Sequence, residues 1–452
     1  MPSGIEHAGA ARASRPRTIA VLLLSALGFG LTLYVFYPGV MTYDARFIYG
    51  YIGQSPLGDW QSPVMTLLWA LIDPIAPGAG SMFLLTVTIY WFAFTLLALT
   101  VARRSWFALA LPVLALSPPA FVLVGIIWRD VLFAAVWLLA AALVFAAKDR
   151  NASSRYWISA VALALLAFGV LLRPNALPAA PILATFILWP SRWPLKRALL
   201  IYLPALAVFY ALVPGVYYGI IGAKQEHPLH SIMVFDLGGI THFSKQNQFP
   251  VTWTPAETAL LTERCYQPTE WNYYWNIGPC QFVMRRLESE KIFGAPLLVT
   301  SWRRAVLNHP IAYLQHRMTF MATFLGGSNL VMWTPDLDDP TKIAFRDNAA
   351  LMALKAIHDA LQPTFLFWQG TWLLLCAGLC ALGWLRRDTP EGAFVLGVCG
   401  SAAIYVATYF LVGVASDYRY SYWAVLAGLS GLVVLLPALI CARRATALSD
   451  IT

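Results

Sequence analysis

The amino-acid sequence predicts an all-α polytopic membrane protein, and three observations carry that prediction. Hydrophobic residues make up 59% of the 452 and charged residues only 12%, about half the charged share of a soluble domain. Apolar runs long enough to cross a bilayer recur along the chain, with Lys/Arg clusters beside them. The 18 tryptophans and 20 tyrosines suit the two membrane interfaces, where amphipathic rings gather. The formal net charge of +9 lies largely in those Lys/Arg clusters. It therefore reads as orientation and attraction to anionic head groups, and not as nucleic-acid binding.

A crossing needs about twenty residues, because a rise of about 1.5 Å per residue must cover roughly 30 Å. By that measure the chain predicts about ten spans, at 18–36, 80–102, 106–125, 128–147, 156–172, 175–190, 198–221, 364–385, 394–414 and 421–441. Arg12, Arg15 and Arg17 precede the first run, and no small-x-small cleavage site follows it, so it reads as a retained anchor with a cytoplasmic N-terminus. Arg103/Arg104, Lys148/Arg150/Arg155, Arg192/Lys196/Arg197, Arg386/Arg387 and Arg443/Arg444 then all fall on the cytoplasmic side, which places both termini inside. Pro118-Pro119 marks a kink in the third span.

Two long segments remain for the outer face. The first, 37–79, carries Asp44, Asp59 and Trp60, then an apolar stretch from Ser62 to Ile72 too short to cross, read as an interfacial helix. The second, 222–363, is long and polar enough for a small, mainly helical extracytoplasmic domain between the transmembrane parts 1–221 and 364–452; His309–Met318 reads as an amphipathic helix returning to the membrane surface. Cys265 and Cys280 lie in that polar region, where an oxidising compartment favours a disulfide over two free thiols. Neither has a second ligand at zinc spacing. Cys376, Cys380, Cys399 and Cys441 stand in apolar runs as small hydrophobes.

Charges at the outer ends of the spans need a separate account. Asp44 follows the first span. Trp128-Arg129-Asp130 opens the fourth, Arg173-Pro174-Asn175 joins the fifth and sixth, and Asp417-Tyr418-Arg419 precedes the last. Ionisable groups near a membrane are costly and usually face a cavity, a partner or a substrate. All map to one face although far apart in sequence. Each also has a structural reading: Asp44 as an N-cap or turn residue, Asp59 as turn chemistry in Gly58-Asp59-Trp60, Arg129/Asp130 as a helix-end pair, Arg173 as a snorkelling cation, Asp417/Arg419 as partners of one another.

Carboxylates opposite arginines suit a lipid phosphate leaving group. Arginine binds phosphate bidentately and stays charged when partly dehydrated, and a carboxylate can take the proton of an acceptor hydroxyl. Asp44, Asp130 and Asp59 are the candidate catalytic acids; Arg129, Arg173, Arg419, Arg46 and Arg317 are the candidate phosphate ligands. The aromatic run Trp271–Trp275 reads equally as a sugar-stacking surface or as the core of the polar region.

The Tyr37-Pro38-Gly39…Asp44 segment resembles the first outer loop of the GT-C superfamily, polytopic glycosyltransferases that use polyprenyl-phosphate sugars. Trp128-Arg129-Asp130, Arg173-Pro174-Asn175 and Asp417–Tyr420 resemble further outer-face motifs of bacterial members, and Phe235–Ile240 and His309…Arg317 the external domain of one bacterial subgroup. The resemblance implies a GT-C-like bundle in the bacterial cytoplasmic (inner) membrane, with the active site outside. It also implies a polyprenyl-phosphate-sugar donor and a glycan, lipid or protein acceptor, with Asp44 as the loop acid, acting as base or acceptor-positioning residue, Asp130 as a second acid, and Arg129, Arg173 and Arg419 on the donor phosphate. Arg46 stands where many relatives have a second acid, and Gln61-Ser62-Pro63 where His-Pro is commoner, so a divalent metal stays an open question. The other readings are a lipid or solute transporter or flippase, for which mid-span polar residues, broken helices or inverted repeats would be expected, and a glycan polymerase or ligase using a pyrophosphate-linked donor.

Overall fold

A computed structural model describes residues 3–327 and 348–449. Residues 328–347 of the expected external unit, and the side chains of Arg443 and Arg444, lie outside that description. The regular elements among the described residues are all helical, with isolated β-bridges and no strand. Seven helices are long and apolar enough to cross a membrane, and eight if one bent pair is counted as a span.

The seven are α1 (Ser3–Phe36), α4 (Ala79–Ala102), α7 (Arg129–Ala146), α8 (Ala152–Leu172), α10 (Leu195–Pro214, continued to Ile220), α18 (Pro390–Val412) and α19 (Tyr422–Ser449). Between α1 and α4 lie α2 (Tyr43–Gly50) and α3 (Pro63–Ile72). The third expected span is broken: α5 (Ala110–Ala115) and α6 (Pro118–Val124) meet at 52°, because Pro118 forces Ser117 out of the helical region. Segments 175–190 and 364–385 form the shorter α9 (Ala180–Leu188, 9 residues) and α17 (Gln369–Trp384, 16 residues). Neither reaches spanning length as one helix.

Helix α7 is apolar on every side and packs against α4, α8 and α19 at the centre of the bundle. Helix α10, by contrast, leaves Leu199, Leu200, Leu203 and Tyr210 about 70% exposed, the composition of a surface that meets lipid tails. In the polar region, α11 (His230–Ser244) packs against α12 (Pro255–Glu263), α14 (Pro296–Asn308) and α15 (Pro310–Gly326); α13 (Phe282–Ser289) follows the Cys265–Cys280 disulfide. Helix α16 (Ala349–Leu361) is capped by Asn348, whose amide also donates 3.2 Å bonds to the carbonyls of Tyr34 and Val35 at the end of α1.

The two ends of the bundle differ in charge. At one, Glu391 takes Arg104 (3.4 Å) and Lys148 (3.3 Å), and Trp193 N–H donates to Arg387 C=O at 2.6 Å, so four of the basic clusters share that end. The opposite end carries the carboxylates. There the C-terminus of α8 meets the N-terminus of α7, and the tail of α10 returns to them through Tyr217, whose hydroxyl donates to Leu171 C=O.

Candidate functional site

Backbone pairing sets the site before any charged groups meet. After α1 the chain turns through Gly39, at φ +102°, where a Cβ would lie 2.8 Å from Phe83 Cβ. Val40 then pairs with the strap between α6 and α7: its N–H donates to Gly125 C=O (2.9 Å) and its C=O accepts from Ile127 N–H (3.0 Å). Trp128 Nε1 donates to Thr42 Oγ1 at 2.7 Å. These bonds put Asp44, in the first turn of α2, beside Arg129 and Asp130 at the start of α7. A second strap, 413–417, is held by the polar region: Trp271 N–H donates to Val414 C=O (2.8 Å), Ser416 N–H to Thr269 C=O (2.7 Å), and Arg317 Nη1 to Gly413 C=O (2.8 Å). A Cβ at Gly413 would lie 2.3 Å from the Phe320 ring, so only glycine allows that approach. The strap delivers Asp417 and Arg419.

Two ion-pair arrays result. Arg419 bridges Asp44 Oδ2 (Nη1, 2.6 Å) and Asp417 Oδ2 (Nε, 2.9 Å), and its guanidinium lies 4.6 Å over the Trp128 ring. Arg173 Nη2 meets Asp130 Oδ1 at 2.8 Å and donates to Tyr409 Oη at 2.9 Å. The Tyr420 ring lies between the arrays, 5.0 Å from Arg173 and 5.2 Å from Arg419. Arg129 is the third guanidinium. It is half-buried and makes no ion pair among the described residues, yet its charge reaches Asp44. Burial alone would raise the Asp44 carboxyl, but Arg419, Arg129 and Arg173 together hold it below its ordinary value. Burial pushes Asp417 up, against the pull of Arg419. Gln61 Nε2 donates to Asp44 Oδ1 at 3.2 Å, while the Gln61 Oε1 atom is buried with no partner among the described residues. No protein-family model, curated protein or solved structure matches the chain.

The structure thus brings together Asp44, Asp130, Arg129, Arg173 and Arg419 of the residues singled out in the sequence. The others have different partners. Both Asp59 oxygens are taken at 2.6 Å, by the Tyr218 hydroxyl and by Glu226 N–H, so Asp59 pins the first loop to the segment after α10. Arg46 is exposed on α2 and donates back to Met41 C=O at 3.3 Å. Arg317 is fully buried, held by Asp236 (2.6 Å) and Gly413 C=O, so no face of it is open to a phosphate. It belongs to a closed network in which His316 Nε2 lies 3.1 Å from Asp236 Oδ1 and Trp302 Nε1 donates to Oδ2 at 2.7 Å. Its role is structural, correcting the expectation that it binds phosphate.

Several site residues escape sequence reading. Tyr405 and Tyr409 hold Arg173 from α18, and only their i,i+4 spacing hints that both face one neighbour. Gln61 and Tyr420 stand out only as parts of motifs, Gln61-Ser62-Pro63 and Asp417–Tyr420, and nothing in the sequence assigns either one a place in the site. Among the described residues, no group of three or more His, Cys, Asp or Glu gathers as a metal site would need.

Proposed function

We propose that the chain is a glycosyltransferase that moves a sugar from a polyprenyl-phosphate donor to a hydroxyl of an envelope glycan, lipid or protein. One observation carries this reading. Three arginines and three carboxylates, brought from four separate stretches of sequence, converge at one end of the bundle with every carboxylate engaged and Arg129 uncommitted. An uncommitted guanidinium beside two engaged ones suits a phosphate, whose oxygens it can take bidentately.

In this reading Asp44, kept ionised by its arginines, accepts the proton of the acceptor hydroxyl as that oxygen attacks the anomeric carbon. The carbon–oxygen bond to the lipid phosphate breaks and its electron pair leaves on the phosphate, which Arg129 meets. Gln61 Oε1 has a lone pair to accept from a second sugar or acceptor hydroxyl. Asp130 positions Arg173, and Asp417 positions Arg419. The half-buried rings of Trp60 and Trp275, flanking Trp271 at 6.1 and 5.8 Å, offer a stacking surface beside the 413–417 strap. Helices α9 and α17 and the bent α5–α6 pair complete a ten-segment GT-C-like bundle in this proposal. The carboxylate end and the 222–363 region face away from the cytoplasm, as the positive-inside rule asks of the basic end.

The test supplies purified protein with polyprenyl-monophosphate sugars and, separately, pyrophosphate-linked donors, and follows sugar release and transfer by mass spectrometry. Transfer from a monophosphate donor, abolished by Asp44→Asn in a normally folded protein, is the expected result. Full activity of Asp44→Asn refutes the mechanism, and transfer from pyrophosphate donors alone moves the chain to the polymerase or ligase class.

A further inference from the structure

We propose that the basic end of the bundle holds the head group of an anionic phospholipid, in a concavity between the start of α10 and the end of α17. Its walls are Trp193, Lys196, Arg197, Trp384 and Arg387, with Leu195 at the lip. The two sides are tied by the Trp193 N–H bond to Arg387 C=O, so the cations are gathered by the backbone and not by loose side chains.

Charge is the first reason. Lys196 and Arg197 make no ion pair among the described residues, and Arg387 has only Asp388, 3.9 Å away with both side chains largely exposed. Lys196 and Arg197 also stand in the first turn of α10, which contains no acid. Cations there oppose the positive end of the helix dipole, and an anion seated among them relieves both repulsions. Shape and polarity give the second reason. Arg197 lies over the Trp189 ring (5.6 Å) and Arg387 over Trp384 (4.9 Å), the pairing of indole and cation that suits head-group depth. Below the cations, Leu199, Leu200, Leu203 and Leu385 are 68–75% exposed, an apolar flank on which acyl chains can lie. A free phosphate would use the cations but leave that flank uncovered, which is why the assigned ligand is a lipid. Basic pockets between membrane helices are a known setting for anionic head groups.

The experiment titrates the full-length, detergent-purified protein with phosphatidylglycerol or with phosphatidylcholine of the same chains and counts bound lipids by native mass spectrometry. Phosphatidylglycerol should bind the more tightly. Each cation near the surface contributes about a five-fold factor, so Lys196→Gln/Arg197→Gln/Arg387→Gln should weaken it on the order of a hundred-fold. Arg285→Gln/Arg303→Gln/Arg304→Gln removes the same charge from exposed sites elsewhere and should leave binding unchanged. Should the triple variant fold poorly, Arg197→Gln alone is read by the same measure, with about a five-fold loss expected. Equal binding of both lipids, or no loss in the variants, overturns the proposal. So does displacement of the lipid by millimolar inorganic phosphate, which would assign the concavity to a soluble anion.

Discussion

Replacing Asp130 by asparagine should destabilise the protein by about 3 kcal/mol. Its partner Arg173 lies 2.8 Å away, and the two side chains are only 3% and 7% exposed, so water cannot take over the lost contact. Removing one member of a buried pair strands the other charge at a cost of about 3–5 kcal/mol. The lower end of that range applies here for two reasons. Asparagine fills nearly the same volume, so no cavity opens. Arg173 also keeps the hydroxyls of Tyr409 (2.9 Å) and Tyr405 (3.5 Å) and the face of Tyr420. The double replacement Asp130→Leu/Arg173→Met removes the stranded charge and should recover most of the loss, giving a coupling on the order of 2 kcal/mol in a double-mutant cycle. Denaturant unfolding in detergent, followed by tryptophan fluorescence, measures both, provided the slope stays constant across the variants. A loss below about 1 kcal/mol for Asp130→Asn would mean the pair is screened as surface pairs are, and the closed geometry described above would be wrong.

The Asp44–Arg419 pair should behave differently, because its side chains are 31% and 16% exposed and Arg419 keeps Asp417. Asp44→Asn should cost about 1 kcal/mol or less by the same unfolding measurement, while the sugar transfer proposed above should fall by about two to four orders of magnitude, to the point of being undetectable. Since the folded-state value of Asp44 lies below its ordinary 3.8, the stability it contributes is complete above that pH and is lost as the pH falls through the lower folded value. Acid unfolding curves of wild type and Asp44→Asn should therefore differ fully above pH 3.8 and converge as the pH falls through the lower folded value. Arg317→Gln leaves Asp236 buried without its cation and should cost about 3 kcal/mol or more, read as a lowered unfolding midpoint. Cys265→Ser/Cys280→Ser opens a loop with a sequence separation of 15 and should cost about 3 kcal/mol, appearing as faster hydrogen exchange in 255–290 and little change in α7.

The bundle was largely legible because its rules are one-dimensional. A run such as Val131–Ala146 has to be a helix in a bilayer, since no other structure satisfies its backbone there. Four of the five Lys/Arg clusters share one end, as Glu391 shows by pairing with both Arg104 and Lys148 and Trp193 by bonding to Arg387; the side chains of the fifth lie outside the described residues. Helix continuity was less legible: hydropathy cannot see that Pro118 breaks one segment or that 175–190 yields only nine α-helical residues. In the site, the residues that sequence brought together were those at helix ends, where position along the chain also fixes height. Asp59 and Arg317 defied the same logic because their partners, Tyr218, Glu226, Asp236 and Gly413, come from elsewhere in the chain and can be known only from the fold. Composition alone cannot separate a buried arginine that closes a network from one that awaits a ligand.

That difference is what makes Arg129 the most telling residue of the cluster. Arg173 and Arg419 each spend their charge on a carboxylate at 2.6–2.8 Å, whereas Arg129 makes no ion pair among the described residues; it feels the repulsion of Arg173 and the weaker, longer-range attraction of Asp130 and Asp44. A half-buried guanidinium with a like charge beside it is unfavourable in a protein that gains nothing from it, because partial desolvation has already weakened its hydration. Replacing it with an apolar residue of similar length would relieve both terms. An anionic phosphate reaching the same place relieves them too, and draws on Arg173 and Arg419 without breaking either ion pair, since each guanidinium has donors beyond those its carboxylate uses. Under the proposed function, this is the cost that a donor phosphate at Arg129 would offset.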